Sequence, residues 1–184
     1  MKNLAIDTSS SICSVAILED DKLIDEINLD DGRTHSENLM PLINEILKRN
    51  SLDIKNIEML SCSCGPGSFT GIRIGVATIK PIAEVLNIKV ASVTSLEILA
   101  RNIENAETIV SLIDARNNQV YCGIFDKEYN KKQEYLADDI NNVIEVLKKY
   151  ENITVVGNGA ILHKELLTNC LKSVDFAKEN EQSA

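Results

Sequence analysis

The sequence predicts a two-lobed α/β protein in which each lobe is a βββαβα unit, and three observations carry that prediction. Apolar residues alternate in short period-two runs near the N-terminus, then recur at helical spacing, and the same order of runs begins again after residue 107. A glycine-punctuated stretch, Gly65-Pro66-Gly67-Ser68-Phe69-Thr70-Gly71-Ile72-Arg73-Ile74-Gly75, joins an apolar strand to an apolar helix. An apolar fraction of 44% over 184 residues is that of an ordinary globular core, enough for one domain or two small lobes.

The first lobe, residues 1–106, reads as strands at 3–7, 12–18 and 23–29, a helix at 35–49, a strand at 59–64 and a helix at 71–86, extended by a strand at 89–91 and a helix at 95–102. Thr34 and Glu37 have the spacing of a capping box at the first helix. The second lobe, residues 107–184, reads as strands at 108–114, 120–125 and about 133–136, a helix at 139–150, a strand at 153–156 and a helix from Ala160. Its end, Glu179-Asn180-Glu181-Gln182-Ser183-Ala184, is polar and resembles a loop leading into a further helix, so this lobe is expected to be incomplete at its C-terminal end.

The glycine stretch is neither common phosphate loop. A Walker A loop needs a lysine after its last glycine and none follows Gly71; a dinucleotide fingerprint needs a glycine where Thr70 stands. Two readings remain open: a tight turn in which glycines admit close packing, or a helix N-terminus that holds an anion.

Charge and cysteine usage exclude several classes. A net charge of −9, without a basic cluster, disfavours direct and independent binding to nucleic acid. Five cysteines, an odd number, lie mostly in apolar runs and point to a reducing cytoplasm. Strand alternation is expected to turn Cys62 and Cys64 to one face, with no second ligand pair to complete a metal site. No apolar run approaches the roughly 18 residues that a membrane span needs.

No catalytic set stands out. His35 and His163, the two histidines, lack a second histidine at helical spacing and are expected at the surface; no G-x-S-x-G elbow occurs. The carboxylate pairs Asp20-Asp21, Asp30-Asp31 and Asp138-Asp139 fall at turns or helix starts. The first helix has a wide apolar arc, with Leu39, Met40, Leu42, Ile43, Ile46 and Leu47 sweeping roughly 160°, where one buried face needs roughly 100°. The helix from Gly71 is apolar around most of its circumference. Surplus apolar surface of this kind suggests a partner, and Gly71 and Gly75, one turn apart, would let another helix approach closely. Pro41 and Pro81 are expected to bend these helices.

Two βββαβα lobes resemble the actin-like ATPase (ribonuclease-H-like) fold of sugar kinases and acetate kinase. That resemblance implies a nucleotide cleft at Asp7, Thr8, Ser9 and Ser10 in the first lobe and at Asp114, Gly157 and Gly159 in the second. Ala115-Arg116-Asn117-Asn118 puts side chains where backbone would approach phosphate, so the cleft is expected to be degenerate, with ATP binding weak or absent. More specifically, Leu4-Ala5-Ile6-Asp7-Thr8-Ser9, the block 65–75, and Ile113-Asp114-Ala115-Arg116-Asn117-Asn118-Gln119-Val120-Tyr121 resemble the TsaB (YeaZ) family over nearly the whole chain.

That resemblance implies a non-catalytic subunit of tRNA N6-threonylcarbamoyladenosine modification at position 37. The subunit pairs with the catalytic paralogue TsaD, works with a TsaE-like ATPase, forms a homodimer when alone, and meets tRNA only through the complex. Its implied partner face is Leu39, Met40, Ile43, Leu47, Gly71, Ile72, Gly75 and Ile79. The paralogue carries two metal-binding histidines on a helix after its glycine block; here those positions fall on Ser95 and Leu99, which implies no metal, no cofactor and no peptidase chemistry. The alternative reading is a small-molecule kinase or ATPase with Asp7 and Asp114 flanking ATP.

Overall fold

A computed structural model describes residues 1–20, 22–32, 34–178 and 184. Its contacts divide the chain into two compact units, Met1–Ser95 (with Ala184) and Leu96–Glu181.

The first unit holds β1 (Lys2–Asp7), β2 (Cys13–Glu19), β3 (Lys22–Leu29), α1 (His35–Arg49), β4 (Met59–Ser63), α2 (Phe69–Leu86) and β5 (Lys89–Val93). Its sheet has the order β3-β2-β1-β4-β5, antiparallel across the first three strands and parallel from β1 through β4 to β5. The period-two pattern works as expected: Leu4 and Ile6 of β1, Val15 and Ile17 of β2, and Leu60 of β4 face one core. Leu39, Leu42, Ile43, Ile46 and Leu47 of α1 and Ile79 and Ala83 of α2 complete it.

The second unit holds α3 (Ser95–Ala100) after its first residue, then β6 (Thr108–Arg116), β7 (Gln119–Asp126), β8 (Leu136–Asp139), α4 (Ile140–Leu147), β9 (Ile153–Val156), α5 (Asn158–Leu162), α6 (Lys164–Cys170) and β10 (Val174–Phe176). Its sheet order, β10-β9-β6-β7-β8, repeats the first topology strand for strand. Val110 and Leu112 of β6 pack with Ile140, Val143, Ile144 and Leu147 of α4, while Ile109 and Ile113 on the opposite face pack with Leu96, Leu99 and Ala100 of α3. The sheet is therefore covered on both sides.

Several elements differ from the sequence reading. α3 packs on the second sheet, so the units part between Ser95 and Leu96 rather than at residue 106. Thr34 makes no side-chain cap; its hydroxyl pairs with Ser36 Oγ at 3.0 Å, and the Glu37 N–H is bonded to the Thr34 carbonyl instead. α2 begins at Phe69, because Ser68 Oγ accepts from Gly71 N at 3.1 Å and closes the first turn. The helix from Ala160 is two helices meeting at His163, and β10, only three residues long, was not foreseen. α1 and α2 continue through Pro41 and Pro81, both of which are exposed. Residues 179–183, expected as a polar loop, and Asp21 lie outside the described residues. No described helix is long and apolar enough to cross a membrane.

Candidate functional site

The glycine stretch packs against its own lobe. A Cβ at Gly67 would stand 2.3 Å from the Ser9 carbonyl oxygen, and one at Gly71 would stand 1.9 Å from the Thr8 carbonyl oxygen. Gly75 faces Thr8 Oγ1. Two hydrogen bonds fasten this approach, Thr8 Oγ1 to the Gly71 carbonyl at 2.8 Å and Ser68 N to the Ser9 carbonyl at 2.7 Å. Gly71 and Gly75 therefore seat α2 on the β1–β2 turn, and the close approach that a partner helix was expected to make is made by Thr8.

That contact buries most of the expected first-lobe cleft residues. Asp7, Thr8 and Ser9 are almost wholly inaccessible, and Ser10 is half-buried. Asp7 Oδ1 accepts from Ser9 N at 2.7 Å and Ser9 Oγ at 2.6 Å; burial pushes the Asp7 carboxyl above its ordinary value against these bonds. Ser9, Ser63 and Ser95 form a buried ring of hydroxyls, with Oγ separations of 3.2 Å (Ser63–Ser9), 2.8 Å (Ser63–Ser95) and 3.0 Å (Ser95–Ser9). Ser95 thus holds a position in this ring, and Leu99 lies in the apolar core of the second unit. No group of three His, Cys, Asp or Glu able to hold a metal occurs among the described residues.

The second unit uses the same device. A Cβ at Gly157 would stand 2.3 Å from the Leu112 carbonyl oxygen, and one at Gly159 would stand 3.0 Å from the same group, so the β9–α5 turn packs on β6. Asp114 N donates to Asn158 Oδ1 at 2.9 Å, and Asp114 Oδ1 accepts from Arg116 N. Arg116, Asn117 and Asn118 all have left-handed backbone (φ 67°, 50° and 64°), which turns three side chains outward at the hairpin after Asp114. Asp114, Gly157 and Gly159 belong to this unit, and Asp7 to Ser10 to the other.

Both histidines are half-buried, contrary to expectation. His35 reaches the Ser10 carbonyl through Nε2 at 2.8 Å, and His163 sits at the α5–α6 junction with Nε2 buried. Cys62 is buried and Cys64, one residue past the end of β4, is exposed; burial pushes the Cys62 thiol up, and Cys64 adds to the rise.

The apolar arc of α1 is largely covered by its own lobe. Leu39, Ile43, Leu47 and Ile79 are buried, Gly71 and Gly75 meet Thr8, and Ile72 is half-covered beside Gly65; of the eight expected partner residues only Met40 has an exposed side chain. The open surface lies one step round both helices. Met40, Asn44, Pro81, Ile82, Val85 and Leu86 surround an apolar groove of about 350 Å³ with Ile43, Leu47 and Ile54 at its base. Val85 is 83% exposed. The sequence reading missed the contribution of Ile82, Val85 and Leu86 to this groove because the whole of α2 is apolar and its pattern does not single out one side. At the other end of α2, the Arg73 guanidinium stacks 3.6 Å over the exposed Phe69 ring.

Two sheets of order 3-2-1-4-5, one with a glycine turn seated on the β1–β2 turn and the other with a glycine turn seated on its central strand β6, define a two-lobed protein of the actin-like, ribonuclease-H-like class. Residues 29–179 match the family described as TsaD, tRNA N6-adenosine threonylcarbamoyltransferase. The chain is 31% identical to the tRNA threonylcarbamoyladenosine biosynthesis protein TsaB of Bacillus subtilis, over 96% of this chain and 79% of that one. It is 30% identical to the TsaB of Haemophilus influenzae, over 96% and 80%. Its fold is that of YeaZ from Pseudomonas aeruginosa, with a TM-score of 0.82 at 24% identity, covering 97% of this chain and 85% of that one. More distantly it resembles the ethanolamine utilization protein EutJ of Carboxydothermus hydrogenoformans, with a TM-score of 0.53 at 13% identity, covering 98% and 86%. The chain belongs to the TsaB family of tRNA threonylcarbamoyladenosine biosynthesis proteins.

Proposed function

We propose that this chain is a non-catalytic subunit that docks a TsaD-like threonylcarbamoyltransferase through the groove between α1 and α2. The observation that carries the reading is that groove: an apolar strip walled by Met40, Pro81, Ile82 and Val85 on a protein with a net charge of −9. Exposed apolar area concentrated on two adjacent helices is a cost in water unless a partner covers it. A specific interface of about 800 Å² per partner would take in the groove and its rim. In the absence of the catalytic subunit, a second copy would occupy the same strip.

The absence of chemistry of its own is supported by the first lobe. The hydroxyls of Thr8 and Ser9 bond inward to Gly71 and Asp7, and the positions corresponding to the paralogue's metal-binding histidines are Ser95 and Leu99. On this reading the chain needs no cofactor, works in the cytoplasm beside a TsaE-like ATPase, and meets tRNA only in the complex.

The test is co-purification with a tagged TsaD-like subunit. A heterodimer is expected for the native chain, and Val85→Asp or Met40→Asp should release it while leaving the lobe folded, because both side chains are exposed. Separate elution of the native proteins at micromolar concentration refutes the docking role. Turnover of ATP with magnesium, or of any other substrate, by the isolated chain refutes the non-catalytic role.

A further inference from the structure

The β6–β7 hairpin of the second unit carries backbone strain. Asn117 and Asn118 form its turn in the left-handed conformation that asparagine tolerates, but Arg116, at φ 67°, takes the same conformation at a shift of strand register, where glycine is the usual residue. A side chain there crowds its own backbone, and such outliers persist only where the surroundings impose them. Bonds at both ends of the hairpin do so. Arg116 N donates to Asp114 Oδ1 and Asp114 N to Asn158 Oδ1, each at 2.9 Å. Asn118 Nδ2 donates to Asp139 Oδ2 at 3.1 Å, and Ile140 N donates to the Asn118 carbonyl at 2.9 Å.

The Arg116 side chain gains nothing from this within its own lobe. Among the described residues its guanidinium has no hydrogen bond, ion pair or ring contact, in a chain with 28 acidic residues to 19 basic ones. Tyr129, another bulky left-handed residue (φ 63°), is held by its contacts: its hydroxyl donates to the Ile103 carbonyl at 2.8 Å, and its ring carries the Arg101 guanidinium. The tip of the hairpin is also wholly polar. Arg116, Asn117, Asn118 and Gln119 are exposed, and no large apolar side chain of β6 or β7 is. Protein interfaces have an apolar, aromatic-rich centre, whereas a sugar–phosphate backbone is met by arginine and amide donors.

We propose that the β6–β7 hairpin holds Arg116 for a backbone phosphate of tRNA, with Asn117 as a neighbouring donor, once the chain is in its complex. The inference rests on the docking role proposed above: a net charge of −9 repels RNA from the isolated chain, and the partner supplies the remaining attraction. A guanidinium binds two phosphate oxygens at once, which fixes position as well as charge. The left-handed backbone at Arg116 is retained for where it aims the side chain, at a cost in stability that glycine would not carry.

The experiment compares the native chain, Arg116→Gly and Arg116→Lys. Each is measured in complex with the TsaD-like subunit for binding of an unmodified tRNA transcript over a range of salt, and each isolated chain for its Tm. Arg116→Gly is expected to co-purify like the native chain and to raise Tm by a few degrees as the backbone relaxes. It should weaken tRNA binding roughly tenfold and reduce the salt slope of log K by about one. Arg116→Lys, which keeps the charge but not the fork, should keep the slope and lose part of the affinity. An affinity and slope unmoved by Arg116→Gly overturn the proposal. An unchanged or lower Tm overturns it too, since the backbone then holds no strain, as does loss of co-purification, since the guanidinium then meets the protein partner. If the native chain itself fails to co-purify, the docking role falls and this inference with it; co-purification with unmoved tRNA binding removes this inference alone.

Discussion

Replacing Gly71 by alanine separates two physical readings by sign. Gly71 lies in the first turn of α2 with ordinary helical backbone, so propensity alone would make alanine better by about 1 kcal/mol. The new Cβ would stand 1.9 Å from the Thr8 carbonyl oxygen and 3.2 Å from His35 Cδ2. Non-bonded contacts are comfortable at roughly 3.5–4 Å, so α2 must move off the turn by roughly 1.5 Å. That movement breaks the bond from Thr8 Oγ1 to the Gly71 carbonyl, about 1 kcal/mol, and disturbs the packing of Ile79 and Ala83, about 1–3 kcal/mol for an overpacked core. After the propensity gain the net loss is about 1–3 kcal/mol. Gly75→Ala is the milder comparison: its Cβ would meet Thr8 Oγ1 at 2.7 Å, and turning that hydroxyl away gives up its bond to the Gly71 carbonyl, about 1 kcal/mol, against a propensity gain of about the same size; it should stay within about 1 kcal/mol of the native protein. Urea unfolding followed by circular dichroism measures both. A Gly71→Ala variant as stable as the native chain, or more so, refutes the claim that these glycines exist to admit Thr8.

Thiol reactivity should follow burial. Cys122, buried and pushed up to about 12, and Cys13, pushed up to about 11 by burial with help from Asp7 and Asp31, should resist an aromatic disulfide reagent in the native state, while the exposed Cys64 and Cys170 react at once; native-state labelling of Cys122 at the rate of Cys64 contradicts the described core. Leu47→Asp, unlike Val85→Asp, puts a carboxylate among the buried residues of α1 and should cost several kcal/mol, with loss of soluble protein as the readout; a folded Leu47→Asp protein would mean that α1 is not packed on its own sheet.

The difference between Leu47 and Val85 also marks how far the sequence could be read. The helical period at 35–49 fixes α1 to the residue, and the apolar runs locate eight of the ten strands among the described residues, because local spacing decides which side of an element is apolar. The missed strand, Val174–Phe176, is too short to carry a period, and the strand expected at 133–136 lies at Leu136–Asp139 because its polar composition gives no alternation to align. The capping box failed on a competing local bond, Thr34 to Ser36, which spacing cannot weigh against Glu37.

The order of elements, the repeated lobe and the family are therefore properties of the chain itself, since each depends on neighbours within a turn or a strand or on motifs read in sequence. The identity of what each apolar or glycine position touches is not. Gly71 meets Thr8 across 63 residues, α3 leaves the strand it follows to cover Ile109 and Ile113, and the arc of α1 is consumed by its own sheet except at Met40. Periodicity says that a face must be buried; only the packed structure decides which neighbour buries it, and so which strip, here the one beside Val85, is left open.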